Sequence, residues 1–175
     1  LLSGSGRFVD SGQFLGQTQT RDVALADLDG DGDRDAFVVN AGELDPNGTH
    51  FVGQPDRVWV NDGFAGFTDT RQRLGEAFGE AVALGDLDGD GDRDAFVANY
   101  GAVDAGGGVV PDPNEVWLND GSGTFTDSGQ RLGAQPSRGV ALGDLDRDGD
   151  LDAFVGNGET AGSPSPGKPN EVWWN

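Results

Sequence analysis

Three nine-residue stretches gather the carboxylates that could do chemistry in this chain. They are Asp27, Asp29, Asp31, Asp33 and Asp35; Asp86, Asp88, Asp90, Asp92 and Asp94; and Asp144, Asp146, Asp148, Asp150 and Asp152. Together they hold 15 of the 31 acidic residues, always at alternate positions, with Gly32, Gly91 and Gly149 sixth in each stretch. A glycine there lets the backbone curl until the odd positions converge on one point. So many hard oxygen donors in so short a loop suit Ca2+, which takes roughly 6–8 oxygens, better than Mg2+, which keeps more of its water.

Side-chain ligation is assigned to loop positions 1, 3, 5 and 9: Asp27, Asp29, Asp31 and Asp35; Asp86, Asp88, Asp90 and Asp94; Asp144, Asp146, Asp148 and Asp152. Position 7 (Asp33, Asp92 and Asp150) is assigned a backbone carbonyl, its carboxylate adding field rather than a bond. The expectation is three Ca2+ per chain. Solvated acidic turns are a poor alternative, because carboxylates ~5 Å apart repel by roughly 3 kcal/mol at an effective dielectric of 20. The helical calcium hand does not fit either. It needs a bidentate Glu at position 12, where this chain has Val38, Val97 and Val155.

The elements that must hold these loops follow from a repeat. Residues 23–38 return almost letter for letter at 82–97 and 140–155, with loop starts 59 and 58 residues apart. A second block, Val-Trp-x-Asn, recurs at 58–61, 116–119 and 172–175. Each unit reads as four short strands. In the second unit, residues 82–85 and 95–99 flank the loop, and residues 115–119 and 124–127 form a hairpin across a Gly-rich turn. The first two strands are apolar in continuous runs, which predicts cover on both faces, and no segment keeps a 3.6-residue apolar period.

The predicted fold class is all-β: a β-propeller of four-stranded antiparallel blades, three per chain. The whole chain, 1–175, is one repeat domain with units at about 21–78, 79–136 and 137–175, the last completed by 1–20. That permutation follows from residues 1–8, which align with 118–125, turn and fourth strand included. It implies strand exchange between the N- and C-termini. Closed rings typically use about four to eight blades. The expectation is therefore a homodimer closing a six-bladed ring, or further blades of a longer parent chain. With no Met and no signal segment at Leu1, the chain is expected to be a mature or excised part of something longer.

At these residues the sequence resembles the FG-GAP/VCBS family, the repeat of integrin α-subunit propellers and many bacterial surface proteins. The fullest match is Phe78-Gly79, then residues 81–86, the loop itself, and residues 94–97. The Gly-Ala-Pro element of the family is replaced by 39–41, 98–100 and 156–158, and the Phe-Gly pair is missing before the first and third loops. The resemblance implies a propeller with Ca2+ between the first and second strands of each blade. It also implies ligand binding on the face opposite the calcium loops, where integrins engage theirs.

Composition narrows the functions. A formal charge of −20 repels the phosphates of nucleic acids and anionic membranes. No apolar run approaches the ~20 residues of a membrane span, and the lack of Cys excludes disulfides and thiolate zinc sites. An enzyme is not expected, since the chain has one His and no nucleophile–base arrangement outside the loops. The connections between second and third strands (41–56, 101–114 and 158–170) are long, Gly- and Pro-rich and dissimilar, so recognition is expected there. Candidate contacts are His50, Phe51, Tyr100, Val109 and Val110, with His50 read as a surface residue rather than a ligand or base. Trp59, Trp117 and Trp173 are read as blade core, and Trp174, facing opposite to Trp173, as packing at the junction with the incoming N-terminal strand. The sum is a secreted or cell-surface calcium-binding module for protein or glycan recognition. The alternative is a calcium-rigidified structural or self-assembly unit with no separate ligand.

Overall fold

The computed structural model describes residues 6, 8–44, 47, 51–64, 66–103, 108–158 and 167–175. His50 and most of the N-terminal turn (residues 1–5 and 7) lie outside the described residues, as do parts of the three long connections. The described residues form antiparallel β-structure and no helix. Sheet 1 joins β1 (Thr20–Ala26), β2 (Asp35–Asn40), β5 (Arg57–Asn61) and β6 (Phe67–Asp69) in that order. Sheet 2 repeats it with β7 (Gly79–Gly85), β8 (Asp94–Asn99), β11 (Asn114–Asn119) and β12 (Phe125–Leu132). Sheet 3 contains β13 (Ser137–Gly143), β14 (Asp152–Asn157) and β15 (Glu171–Trp173), with no fourth strand among the described residues.

The repeat in sequence is a repeat in register. Val23, Val82 and Val140 pair with Val38, Val97 and Val155, and each first strand carries one register shift near its start. The three sheets stand side by side, with β7 lying between β1 and β13. Phe37, Val39 and Val58 of sheet 1 are buried against Val82, Ala95, Val97 and Trp117 of sheet 2. The opposite face of sheet 2 presents Phe96 and Val116 to Ala153, Val155 and Trp173 of sheet 3. Every residue of β8 is buried because it has a sheet on each side. Phe37 and Phe125 meet edge to face, ring centroids 5.2 Å apart, across the first of these interfaces.

Four features differ from the sequence expectation. The fourth strand of sheet 2 extends to Leu132 instead of stopping at Asp127, because a register shift lets Asn114 and Glu115 pair with Leu132 and Arg131. Residues 8–19, which include part of the segment expected to add a strand at the other end, form no strand, and Gln13, Gly16 and Thr18 lie against sheet 1. Val23 and Leu25 of β1 are 52% and 56% exposed, since no sheet among the described residues lies against that face. Two of the long connections contain small hairpins of their own, β3–β4 (Glu43–Leu44, Phe51–Val52) and β9–β10 (Ala102–Val103, Val109–Val110).

The connections are tied down at their bases by three asparagines that sequence reading treated only as departures from a motif. The side chains of Asn40, Asn99 and Asn157 donate to the carbonyls of Pro55, Pro113 and Pro169 at 2.8–2.9 Å. Their backbone N–H groups donate to Asp56 Oδ1, Asn114 Oδ1 and Asn170 Oδ1. An asparagine at the end of the second strand, buried in the first two sheets and half-buried in the third, thus sets where each loop returns. It satisfies groups that would otherwise be orphaned.

Candidate metal centres

Each acidic loop joins the first and second strands of a sheet, and its shape is set by its own first aspartate. Asp27 accepts the N–H of Gly30 on one oxygen and of Gly32 on the other, at 2.9 and 3.0 Å. Asp86 does the same with Gly89 and Gly91. The two glycines of the first loop sit at φ 78° and 95°, those of the second at 83° and 100°, a region that side chains disfavour. In the third loop Arg147 holds the first of these positions at φ 72° and donates to Asp144 at 2.6 Å. Asp29 and Asp31 accept the N–H groups of Asp31 and Asp33, two residues on, with the same pattern in the other loops.

The ninth position does a different job. Asp35, Asp94 and Asp152 are fully buried. One oxygen of each accepts the N–H of the loop leucine, Leu28, Leu87 or Leu145, at 2.7–2.9 Å. The other accepts the N–H of Asn61, Asn119 or Asn175 at the end of the third strand, at 2.8–3.0 Å. This carboxylate therefore ties the loop to the sheet, and Asp35 and Asp152 also join the carboxylates of their loops.

Ligand atoms of Asp27, Asp29 and Asp35 lie within 4.8 Å of one another, as do those of Asp86, Asp88 and Asp90, and of Asp144, Asp146 and Asp152. Positions 1 and 3 are thus brought together in all three loops, joined by position 9 in the first and third and by position 5 in the second. The position-7 carboxylates are outside these groups. Asp33 and Asp92 point toward the neighbouring turns at Gly63 and Gly121.

Electrostatics agrees with a site waiting for positive charge. Desolvation, and then repulsion from Asp35, Asp31 and Asp27, holds Asp29 above the ordinary carboxylate range. Desolvation and the neighbouring carboxylates likewise raise Asp94, Asp92 and Asp146. An all-oxygen set of converging carboxylates, with lone pairs left over after the loop hydrogen bonds, fits a hard divalent ion of the calcium type.

Neighbouring sheets also grip these loops. Asn119 of sheet 2 donates to the Leu28 carbonyl of the first loop at 2.8 Å, and Asn175 of sheet 3 to the Leu87 carbonyl of the second at 2.7 Å. Sequence reading saw Asn61, Asn119 and Asn175 as part of a repeating block without assigning them a role. Their recurrence three residues after a strand-forming Val was the available signal.

Residues 86–155, which include the second and third loops, match the model of the FG-GAP-like repeat. The chain is also similar to cartilage acidic protein 1 of Mus musculus, 28% identical over 146 residues, covering 78% of this chain and 21% of that protein. The Homo sapiens protein of the same name is 28% identical over the same length, with 20% of it covered. This chain thus spans about a fifth of the length of the curated relatives it matches.

Proposed function

With the FG-GAP-like repeat as premise, we propose that this chain is a calcium-binding β-propeller module of three blades that recognises a protein or glycan outside the cell. The observation that carries the metal reading is the convergence of three carboxylates in each of three equivalent loops, each braced by the same backbone hydrogen bonds. Among the described residues no helix is long and apolar enough to cross a membrane. Sites of the weaker extracellular class, with dissociation constants of about 10⁻⁴–10⁻³ M, match loops this exposed.

Recognition is assigned to the edge opposite the metal loops. There the two small hairpins lie next to each other through β4 and β9. They present Leu44, Phe51, Val52 and Val110, each 41–55% exposed. Apolar side chains grouped on short, base-clamped loops are a usual form of binding surface. Binding rather than catalysis is the role proposed for a chain whose candidate metal-holding clusters, among the described residues, are all carboxylate.

Calorimetric titration of the metal-stripped chain tests the metal reading, with three equivalents of Ca2+ bound as the expected result and none as the refutation. A glycan and matrix-protein array then tests recognition. The expected signal is abolished by Phe51→Asp while calcium binding is unchanged. A signal insensitive to Phe51 would remove the hairpin edge from the reading.

A further inference from the structure

Two interfaces inside this chain define what its two outer faces fit. In the interfaces, the second-strand phenylalanines Phe37 and Phe96 are 0% and 3% exposed, while the equivalent Phe154 on the outer face of sheet 3 is 44% exposed. The loop leucine shows the same trend. Leu28 is 1% exposed under sheet 2, whereas Leu145 is 48% exposed with no sheet beside it. At the other end, Leu25 is open although its equivalents Leu84 and Leu142 pack in cores. The outer face of sheet 3 is the face that covers a following sheet, and the outer face of sheet 1 is the face that receives a preceding one.

The N-terminal segment already sits as if it came from that preceding sheet. In sheet 2, the Phe125 N–H donates to Gln72 Oε1 at 2.8 Å, Gln72 following the last strand of sheet 1. In sheet 1, the Phe67 N–H donates to Gln13 Oε1 at 3.1 Å. A Cβ on Gly75 would touch the Trp117 ring at 3.4 Å, and one on Gly16 the Trp59 ring at 3.5 Å. Residues 13–16 therefore stand toward sheet 1 as residues 72–75 stand toward sheet 2. Phe8 and Val9 are 100% and 73% exposed. Sheet 3, at the opposite end, has three strands among the described residues. Beside it lies a cleft of about 420 Å³, lined by Phe96, Gln130 and Trp173 among others. In the first interface the matching space is filled by Phe125, edge on to Phe37 and held by Gln72.

We infer that a second copy of this chain fills the cleft: Phe8 of one copy inserts between sheets 2 and 3 of the other, and residues 8–10 complete its sheet 3. The inference rests on the blade reading and is independent of the metal. Trp117, Leu118 and Asn119 pair with Asp127, Thr126 and Phe125, and Trp59, Val60 and Asn61 pair with Asp69, Thr68 and Phe67. By the same register Trp173, Trp174 and Asn175 of one copy face Asp10, Val9 and Phe8 of the other. Asn61 then gains the partner its equivalents have, the loop carbonyl of Leu145 in the other copy. Six blades fall in the range of about four to eight that close a ring, and two copies exchanging strands about a two-fold axis supply six.

Light scattering on the 1–175 chain, with calcium and with chelator, should give twice the 18.2 kDa chain mass. A single-chain mass at all concentrations overturns the inference. Phe154→Arg should return the mass to one chain while the β circular dichroism and the thermal transition persist. The double variant Val9→Cys, Trp174→Cys should form a covalent dimer on a non-reducing gel after treatment with oxidised glutathione. A doubled mass that survives Phe154→Arg and forms no such cross-link, or an open-ended polymer, also overturns it. Doubled mass with no calcium bound rejects the metal reading alone.

Discussion

Replacing Asp29 with Asn should stabilise the metal-free protein and remove most of the stability that calcium adds. Asp29 is half-buried, and ligand oxygens of Asp27 and Asp35 lie within 4.8 Å of its own. At that separation each like-charge pair repels by about 3.5 kcal/mol at an effective dielectric of 20 and by about 0.9 at that of water. Solvent and salt screen an exposed loop, so removing one charge from two such pairs should return about 1–3 kcal/mol. The Asn oxygen can still accept the Asp31 N–H that Asp29 now accepts at 3.2 Å, so the turn survives. For a chain of this size the gain is a rise in Tm of roughly 2–10 °C in chelator. With calcium that gain is offset. A site held at a hundred times its dissociation constant contributes about 2.7 kcal/mol, and losing a carboxylate ligand removes most of it, so calcium should raise the wild-type Tm by roughly 5–10 °C more than that of the variant. Differential scanning calorimetry of both proteins in both buffers reads all four values. A calcium-induced rise as large in the variant as in the wild type, or a wild-type Tm indifferent to chelation, would refute the reasoning.

Asp56 is buried, and desolvation, with Glu115 nearby, holds its carboxyl well above the ordinary range. A raised folded-state value means the native chain binds the proton more tightly than the unfolded one, so Asp56 lowers stability as pH rises past that value. Asp56→Asn, which reproduces the Asn114 and Asn170 of the other two units, should therefore raise Tm at neutral pH. The gain should fade as pH falls toward 4, as thermal melts across pH will show. Asn119→Ala removes a buried donor from the Leu28 carbonyl and should cost about 1–3 kcal/mol. Asn175→Ala, at an exposed position, should cost less. Urea midpoints compare the two, and equal losses would count against the buried clasp.

Much of this protein is legible from spacing alone. Alternate aspartates around a glycine dictate a carboxylate-lined turn wherever they occur, because their chemistry is local. The threefold return of Val-Ala-Leu and Ala-Phe-Val dictates sheets of one kind, because strand period and continuous apolar runs are also local properties. The resemblance to FG-GAP repeats was legible on the same residues, and the match over 86–155 bears it out.

Tertiary structure decided what each repeated residue does. Asp35 and Asp33 are two residues apart and chemically identical. One is buried and bonded to both Leu28 and Asn61, whereas the other faces a turn at Gly63. Asn119 clasps the loop of the sheet before it, 91 residues back, which no local pattern announces. Phe37, Phe96 and Phe154 have the same sequence surroundings and very different exposure. The reason is physical: a strand's sequence sets which side chains share a face, but whether that face is buried depends on which sheet comes to lie against it.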